Sequence, residues 1–177
     1  MSDASKIHIT YDRESFWGFR DVPFHQLMGI EFSRDPDGSA VVSLPASPEV
    51  VDGAGEQSVA AVYTVAEIAS ALRTCDELAA HADEELPDDV YPVMLAREVR
   101  FRTLAPPRGD IAARTRFVGD TDEVLQRLRT RRKGNVTIEV RITGDGDEPV
   151  GEAEIDFYVR IMSEERLLAM TAAAATA

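Results

Sequence analysis

Hydrophobic and polar residues alternate along much of the chain, and this alternation predicts β-strands. Five segments show it: 39–45, 93–104, 111–118, 136–143 and 150–161. Successive side chains of a strand point to opposite faces, so the alternation is typical of strands with one buried face. Segments rich in Gly, Pro and Asp separate the strands, as in GDGDEP (144–149), which indicates a hairpin.

Residues 56–74 follow a different pattern, because their apolar residues cover every side of a helix instead of one stripe. A helix that is apolar all round is a buried helix. Glu67 is the only charged residue between Glu56 and Arg73. The sequence therefore predicts a long buried helix that carries a single buried carboxylate.

Shorter elements complete the expected layout. Pro23 favours a short helix in residues 23–32 that leads into a strand near 30–34, and residues 75–90 are expected to be mainly an acidic loop. Residues 121–134 predict a surface helix with Thr121 as N-cap and Gly134 as its stop. We expect a helical turn within residues 163–170.

The order of these elements, with most strands after one long helix, predicts an α+β fold with an antiparallel sheet. One sheet wrapped around the helix would cover most of it, and a second copy of the chain would cover the rest. We expect one domain at residues 20–162, an N-terminal arm at 1–19 and a C-terminal tail at 163–177.

The composition narrows the class of protein. The net charge of −13 over 177 residues argues against nucleic acid as a partner, since phosphates would be repelled. A single cysteine, Cys75, excludes an intramolecular disulfide, and no apolar run is long enough for a membrane span. With no apolar leader at the start, the cytoplasm is the expected location. The three histidines and Cys75 show no metal-ligand spacing.

Two stretches resemble a known family. PFHQLMGIEF (23–32) followed by DGSAVVSLPASPEVVD (37–52) is similar to the opening of hotdog-fold acyl-CoA thioesterases of the phenylacetate-degradation (PaaI-like) type. VMLAREVRFRTLAPPRGDIAARTRFVG (93–119) resembles their central strand pair, and the helix at 121–134 resembles a less characterised branch. The resemblance covers roughly residues 20–162, and it implies a hotdog fold with a dimer as the minimal assembly, or a tetramer.

The resemblance also implies a site. Such thioesterases carry Asn or Gln in a loop, His-Gly-Gly at the helix start and an acid inside the helix. Here Glu67 falls at the acid position and Asp52 at the Asn/Gln position. The His-Gly-Gly positions hold Ser58, Val59 and Ala60. The implied catalytic residues are Glu67 as base or nucleophile, the Val59 N–H as carbonyl donor and Asp52 facing Glu67 across a dimer.

The implied substrate is an acyl-CoA, with coenzyme A as part of the substrate and no separate cofactor. Ser58, Ala60, Tyr63 and Ala71 are the candidate substrate-binding residues, Tyr63 and Ala71 lying one turn on either side of Glu67. The alternative is an inactive hotdog protein that binds an acyl-CoA or another apolar ligand, since His-Gly-Gly is absent. A hydratase or dehydratase is disfavoured because it relies on the missing histidine.

Each candidate also has a plain structural interpretation. Burial would raise the pKa of Glu67, but an arginine such as Arg97 or Arg100, or a subunit interface, would instead make this carboxylate structural. Ser58 is better explained as a helix N-cap than as a nucleophile, because no base lies near it in sequence. The basic residues near the end of the surface helix would either contact the phosphates of coenzyme A or form a solvated face. These residues are Arg127, Arg129, Arg131, Arg132 and Lys133.

Overall fold

The computed structural model describes residues 13–14, 16–80, 90–163, 165–166 and 169. The helices are α1 (Pro23–Met28), α2 (Val59–Ala80) and α3 (Thr121–Arg131), with short 3-10 turns at Phe16–Asp21 and Asp145–Asp147. The strands are β1 (Glu31–Arg34), β2 (Ala40–Leu44), β3 (Val90–Thr103), β4 (Ile111–Phe117), β5 (Lys133–Thr143) and β6 (Pro149–Ser163).

The strands form one antiparallel sheet of six strands in the order β1-β2-β4-β5-β6-β3. The hairpin predicted at 144–149 joins β5 to β6, and their register pairs Ile138 with Ile155 and Val140 with Ala153. These four residues belong to the buried core. The period-two pattern therefore placed the core face of the sheet correctly. β3 lies at the end of the sheet, with β6 as its neighbour among the described strands.

Helix α2 packs against the face of the sheet formed by β2, β4 and β5. Residues 68–72 are buried on every side, which agrees with the all-round apolar pattern. Val42, Ala113 and Val140 of the sheet belong to the same core cluster as the apolar residues of this helix segment. Antiparallel sheet and long helix together confirm the predicted α+β class.

The prediction that α2 ends near residue 74 was wrong, because the helix continues to Ala80. The acidic residues that suggested a loop are neutralised in place. Asp76 pairs with Arg34 at 2.7 Å, and Glu77 pairs with Arg73 one turn earlier. Paired carboxylates do not interrupt a helix, so the extra turns form. The remainder of the predicted loop, residues 81–89, lies outside the described residues.

The ends of α3 also differ from the prediction. The N-cap is Asp120 and not Thr121, since its Oδ1 accepts the N–H of Glu123 at 3.1 Å. The helix ends at Arg132, whose left-handed backbone (φ 56°) closes it before the predicted stop. Gly134 lies instead in β5, where an added Cβ would be 3.1 Å from a methyl group of Leu128. This glycine serves close packing and not helix termination.

The described part of the N-terminal arm is attached to the domain. Phe16 is buried in the core cluster, and Trp17 donates its indole N–H to Asp76 at 3.0 Å. Arg34 also donates to the Asp76 carboxylate, so one acid at the far part of α2 holds both the arm and β1. The helical turn predicted at 163–170 lies largely outside the described residues.

Candidate functional site

Ser58 caps the start of α2. Its Oγ accepts the N–H of Ala61 at 3.2 Å, and its carbonyl accepts the N–H of Val62 at 3.0 Å. This is the geometry of a helix N-cap, which confirms the structural interpretation of Ser58. The N–H groups of Val59 and Ala60 have no acceptor within the described chain. They are the unsatisfied donors that every helix leaves at its first turn, where the helix dipole is positive.

Asp52 lies in the loop before the helix and is fixed by that loop. Its Oδ1 accepts the N–H of Ala54 at 2.8 Å and that of Glu56 at 3.0 Å. The N–H donors of Glu56 and then Ala54 hold the pKa of the Asp52 carboxyl below its ordinary value. Asp52 is therefore a charged, exposed acid whose first structural task is to shape the turn at 52–56.

Gln57, which the sequence did not single out, anchors this loop. Its side chain is 2% exposed, and its Nε2 donates to the carbonyls of Leu44 at 3.0 Å and Gly109 at 2.9 Å. Its backbone N–H donates to Pro107 at 2.8 Å. A glutamine beside an N-cap carries no recognisable signal, because its partners lie far away in sequence. The residue sets the position of the helix start relative to the turn after β3.

A cavity of about 370 Å³ lies between that turn and the start of α2. Asp52, Ser58 and Val59 line it on the helix side, and residues 103–107 line it on the other. The Val59 side chain is 62% exposed, and Leu104 is also exposed, so the mouth of the cavity is apolar. The structure thus brings together three of the predicted site residues.

The other predicted site residues are not part of this cavity. Ala60, Tyr63, Thr64 and Glu67 form an incompletely covered stripe, the open stripe, that runs from the helix start to its middle. Ala71, the next residue on this face, is buried. The open stripe therefore ends at Glu67.

Glu67 is half-buried in the single chain, so the prediction of a fully buried carboxylate was wrong for one chain. The sheet leaves this side of the helix uncovered, and solvent reaches the side chain. Within the described part of the chain, Glu67 has no ion pair or hydrogen bond from a side chain. Arg100, one proposed structural partner, binds Glu98 at 3.0 Å and Glu154 at 2.5 Å on the opposite face of the sheet. Arg97 is exposed at a bulge in β3.

Tyr63 lies one turn before Glu67 and responds to its charge. Burial, and then the negative charge of Glu67, raise the pKa of the Tyr63 phenol above its ordinary value. Tyr63 therefore stays protonated beside the carboxylate at neutral pH and keeps its O–H as a donor. The prediction that Tyr63 and Glu67 share one face of the helix agrees with this electrostatic contact.

Two further sequence candidates have ordinary surroundings. Burial raises the pKa of the Cys75 thiol, which makes it a poor nucleophile. Arg127 in α3 pairs with Glu123 at 3.6 Å on an exposed surface, as expected of a solvated helix face.

In the described ranges, no group of three or more His, Cys, Asp or Glu side chains is arranged to hold a metal ion. The described helices also lack the combination of length and apolar character that a membrane span requires.

Comparison with known proteins gives structural neighbours. No protein-family profile matches the chain, and no curated protein matches it in sequence. Among solved structures, PA5026 from Pseudomonas aeruginosa, named a probable thioesterase, superposes with a TM-score of 0.63 at 19% identity, covering 85% of this chain and 93% of that one. A mutant of the thioesterase PA1618 from the same organism gives 0.61 at 19% identity, covering 86% and 96%.

A third neighbour was solved with coenzyme A. BH2602 from Bacillus halodurans superposes with a TM-score of 0.55 at 16% identity, covering 81% of this chain and 79% of that one. The long helix packed on a six-stranded antiparallel sheet, shared with these neighbours, shows that this chain has the hotdog fold. The fold expected from the resemblance is confirmed.

Proposed function

We propose that this protein hydrolyses a thioester of the acyl-CoA type, with Glu67 activating water and the Val59 N–H binding the carbonyl oxygen. The observation that carries the proposal is the open stripe on α2. It begins at unsatisfied backbone donors and ends at a half-buried carboxylate that has no ion-pair partner in the described chain. Hotdog neighbours named thioesterases support the same class, and so does BH2602, a further neighbour that was solved with coenzyme A.

The two catalytic groups of one chain are too far apart to act together. Glu67 is eight positions after Val59, which is about 12 Å along a helix. Reacting atoms must approach to roughly 3–3.5 Å. A thioester bound at the Val59 N–H of one copy therefore needs the Glu67 of a second copy, and we propose a dimer as the smallest active unit.

The long strand β3 supplies a surface for such a dimer. Among the described strands it pairs only with β6, so its outer edge has free N–H and C=O groups. Leu95, near the middle of that strand, is 65% exposed. Unpaired backbone groups along a strand edge are a template for pairing with another chain. A second copy would also be positioned to cover the open stripe, while higher assembly into a tetramer would use other faces.

The chemistry follows from these positions. The Glu67 carboxylate takes a proton from water, and the resulting hydroxide attacks the thioester carbonyl carbon. The negative charge that develops on the carbonyl oxygen is stabilised by the Val59 N–H at the positive end of α2. Collapse breaks the carbon–sulfur bond, and the proton held by Glu67 passes to the departing thiolate. The products are a carboxylic acid and a free thiol.

Replacing the carboxylate tests this assignment. We expect Glu67→Gln to lower kcat on acyl-CoA substrates about 10²–10⁴-fold, the usual contribution of a general base. Free thiol released from a panel of aliphatic and aromatic acyl-CoAs is the readout. Glu49→Gln, which removes an exposed carboxylate in the loop before the helix, is the matched control and should retain full activity. Equal rates for Glu67→Gln and wild type would refute the catalytic role.

A second candidate function is acyl-CoA binding without hydrolysis. The exposed Val59 side chain favours it, because this side chain and Leu104 narrow the approach to the backbone donors. On this alternative, acyl-CoA raises the melting temperature of the wild-type protein while no thiol is released. Glu67→Gln would then leave the shift in melting temperature unchanged. The absence of both turnover and thermal stabilisation would contradict both proposals.

A further inference from the structure

The face of the sheet opposite α2 carries arginines on neighbouring strands. Arg100 and Arg102 lie on β3, Arg114 and Arg116 on β4, and Arg141 on β5. Together they line a broad depression of about 880 Å³ with three glutamates, Glu139, Glu152 and Glu154. The depression contains five arginines, although the net charge of the protein is −13.

Four of these arginines already have carboxylate partners. Arg100 pairs with Glu98 and Glu154, and Arg116 pairs with Glu139. Arg102 and Arg114 are paired as well. Arg102 binds Glu152 at 2.5 Å, and Arg114 binds Asp35 at 2.8 Å with Asp147 at 3.8 Å.

Arg141 is the exception, with no ion pair or hydrogen bond from its side chain in the described chain. The register places it opposite Glu152 on β6 and opposite Arg114 on β4. Glu152 is bound to Arg102, so Arg141 is a neighbour of Arg114 without an ion pair of its own in the described chain. Like charges directly opposite each other destabilise a sheet. An anion bound between them would remove this repulsion.

A smaller cavity of about 420 Å³ lies at this pair. Thr143 and Ala112, the next residues on the same face of β5 and β4, are partners in the register and line it with Gly144 and Asp147. Thr143 is 4% exposed, and its hydroxyl has no hydrogen-bond partner among the described residues. This hydroxyl is a donor, and a ligand oxygen in the cavity would accept its hydrogen bond.

We propose that Arg114, Arg141 and Thr143 bind a phosphate group of a small ligand. Two guanidinium forks match the charge and the oxygens of a phosphate dianion, and the hydroxyl supplies a further donor. Asp147 at the rim holds Arg114 in place but also opposes anion binding by its charge. The phosphate is either free inorganic phosphate or part of a nucleotide-containing ligand. The site lies on the other face of the sheet from α2, so it is independent of the proposed hydrolysis.

Calorimetric titration of the full-length protein with inorganic phosphate, in phosphate-free buffer of low ionic strength, tests the site. We expect Arg141→Gln to weaken phosphate binding at least tenfold and Asp147→Asn to strengthen it. Arg100→Gln, which removes a paired arginine of the same depression, should leave phosphate affinity unchanged. Wild-type protein that shows no more heat with phosphate than with chloride would overturn the proposal, as would equal affinities of Arg141→Gln and wild type.

A parallel titration with coenzyme A distinguishes the two sources of phosphate. If Arg141→Gln weakens coenzyme A binding as it weakens phosphate binding, the site belongs to a phosphate of a nucleotide-containing ligand. If only inorganic phosphate binding is lost, the site belongs to free phosphate. If Arg141→Gln changes neither, the site does not exist. Thermal unfolding of each variant checks that the exposed substitutions preserve the fold.

Discussion

At the scale of single residues, Gln57 shows how one buried side chain sets the position of a candidate site. Its amide group binds the end of β2 through Leu44 and the turn after β3 through Gly109. Those bonds fix the first turn of α2 against residues 103–107, which form the other wall of the cavity. The unsatisfied N–H donors at the start of α2 are therefore held at a fixed distance from the apolar mouth of the cavity.

Removing the Gln57 amide should destabilise the protein. We expect Gln57→Ala to lower the free energy of unfolding by about 1–3 kcal/mol, because one buried and one partly buried carbonyl lose their donor. Chemical denaturation measures the change. Gln26→Ala removes an exposed amide from α1 and should change stability by less than about 0.5 kcal/mol. Similar values for the two variants would show that Gln57 does not anchor the loop.

Asp52 gives the loop before α2 a pH dependence. Its folded pKa lies below the ordinary 3.8, because the N–H groups of Glu56 and Ala54 stabilise the charged form. The carboxylate therefore stabilises the fold above the unfolded pKa, and that contribution is lost as pH falls through the lower folded value. Asp52→Asn keeps an oxygen acceptor but cannot titrate.

We expect the stability difference between wild type and Asp52→Asn to be constant above about pH 5 and to shrink as the pH falls below about 4. Urea denaturation at a series of pH values measures it. A difference that grows on acidification would mean that the folded state raises the pKa of Asp52, opposite to the sign given by the two N–H donors.

At the scale of elements, α2 has two parts with different surroundings. Its middle, residues 68–72, is buried on all sides, while its beginning presents the open stripe. The covered part supplies stability and the uncovered part supplies exposed chemical groups. Glu67 lies at the boundary, where a carboxylate is close to apolar core and still within reach of water.

This division predicts different costs of truncation along one helix. We expect Leu72→Ala to lower the free energy of unfolding by about 2–5 kcal/mol, since Leu72 is fully buried and its loss leaves a cavity. Val59→Ala, at the exposed start of the same helix, should cost less than about 0.5 kcal/mol in the single chain. Thermal or chemical denaturation at low protein concentration compares them. Equal losses would contradict the assignment of covered and uncovered parts.

At the scale of the whole molecule, the sheet ends in a long strand whose outer edge has no partner in the described chain. Here Leu95 is exposed on that strand, while the separation of Val59 and Glu67 in one chain requires a second copy for the proposed reaction. On the proposed mechanism, assembly and hydrolysis would therefore depend on the same surface.

A charge placed on this edge should prevent assembly. We expect Leu95→Lys to shift the protein toward monomer in sedimentation velocity, because edge lysines oppose strand pairing. On the proposed dimer mechanism, thioester hydrolysis should fall together with the dimer fraction. Leu27→Lys replaces an equally exposed leucine on α1 and should leave the oligomeric state unchanged. Wild-type protein that sediments as a monomer at every concentration would exclude the proposed dimer.

Local sequence patterns predicted the strands, the buried helix, the carboxylate inside it and the N-cap role of Ser58. These follow from local periodicity and from the hydrogen-bonding capacity of a residue at a helix start. The length of α2 depends on tertiary contacts, because Asp76 and Glu77 required distant or helical partners. Tertiary contacts also leave Glu67 half-exposed, make Gln57 the anchor of the site and leave Arg141 without an ion pair among the described residues. Each of these depends on which side chains of remote segments meet, and local patterns contain no record of such pairings.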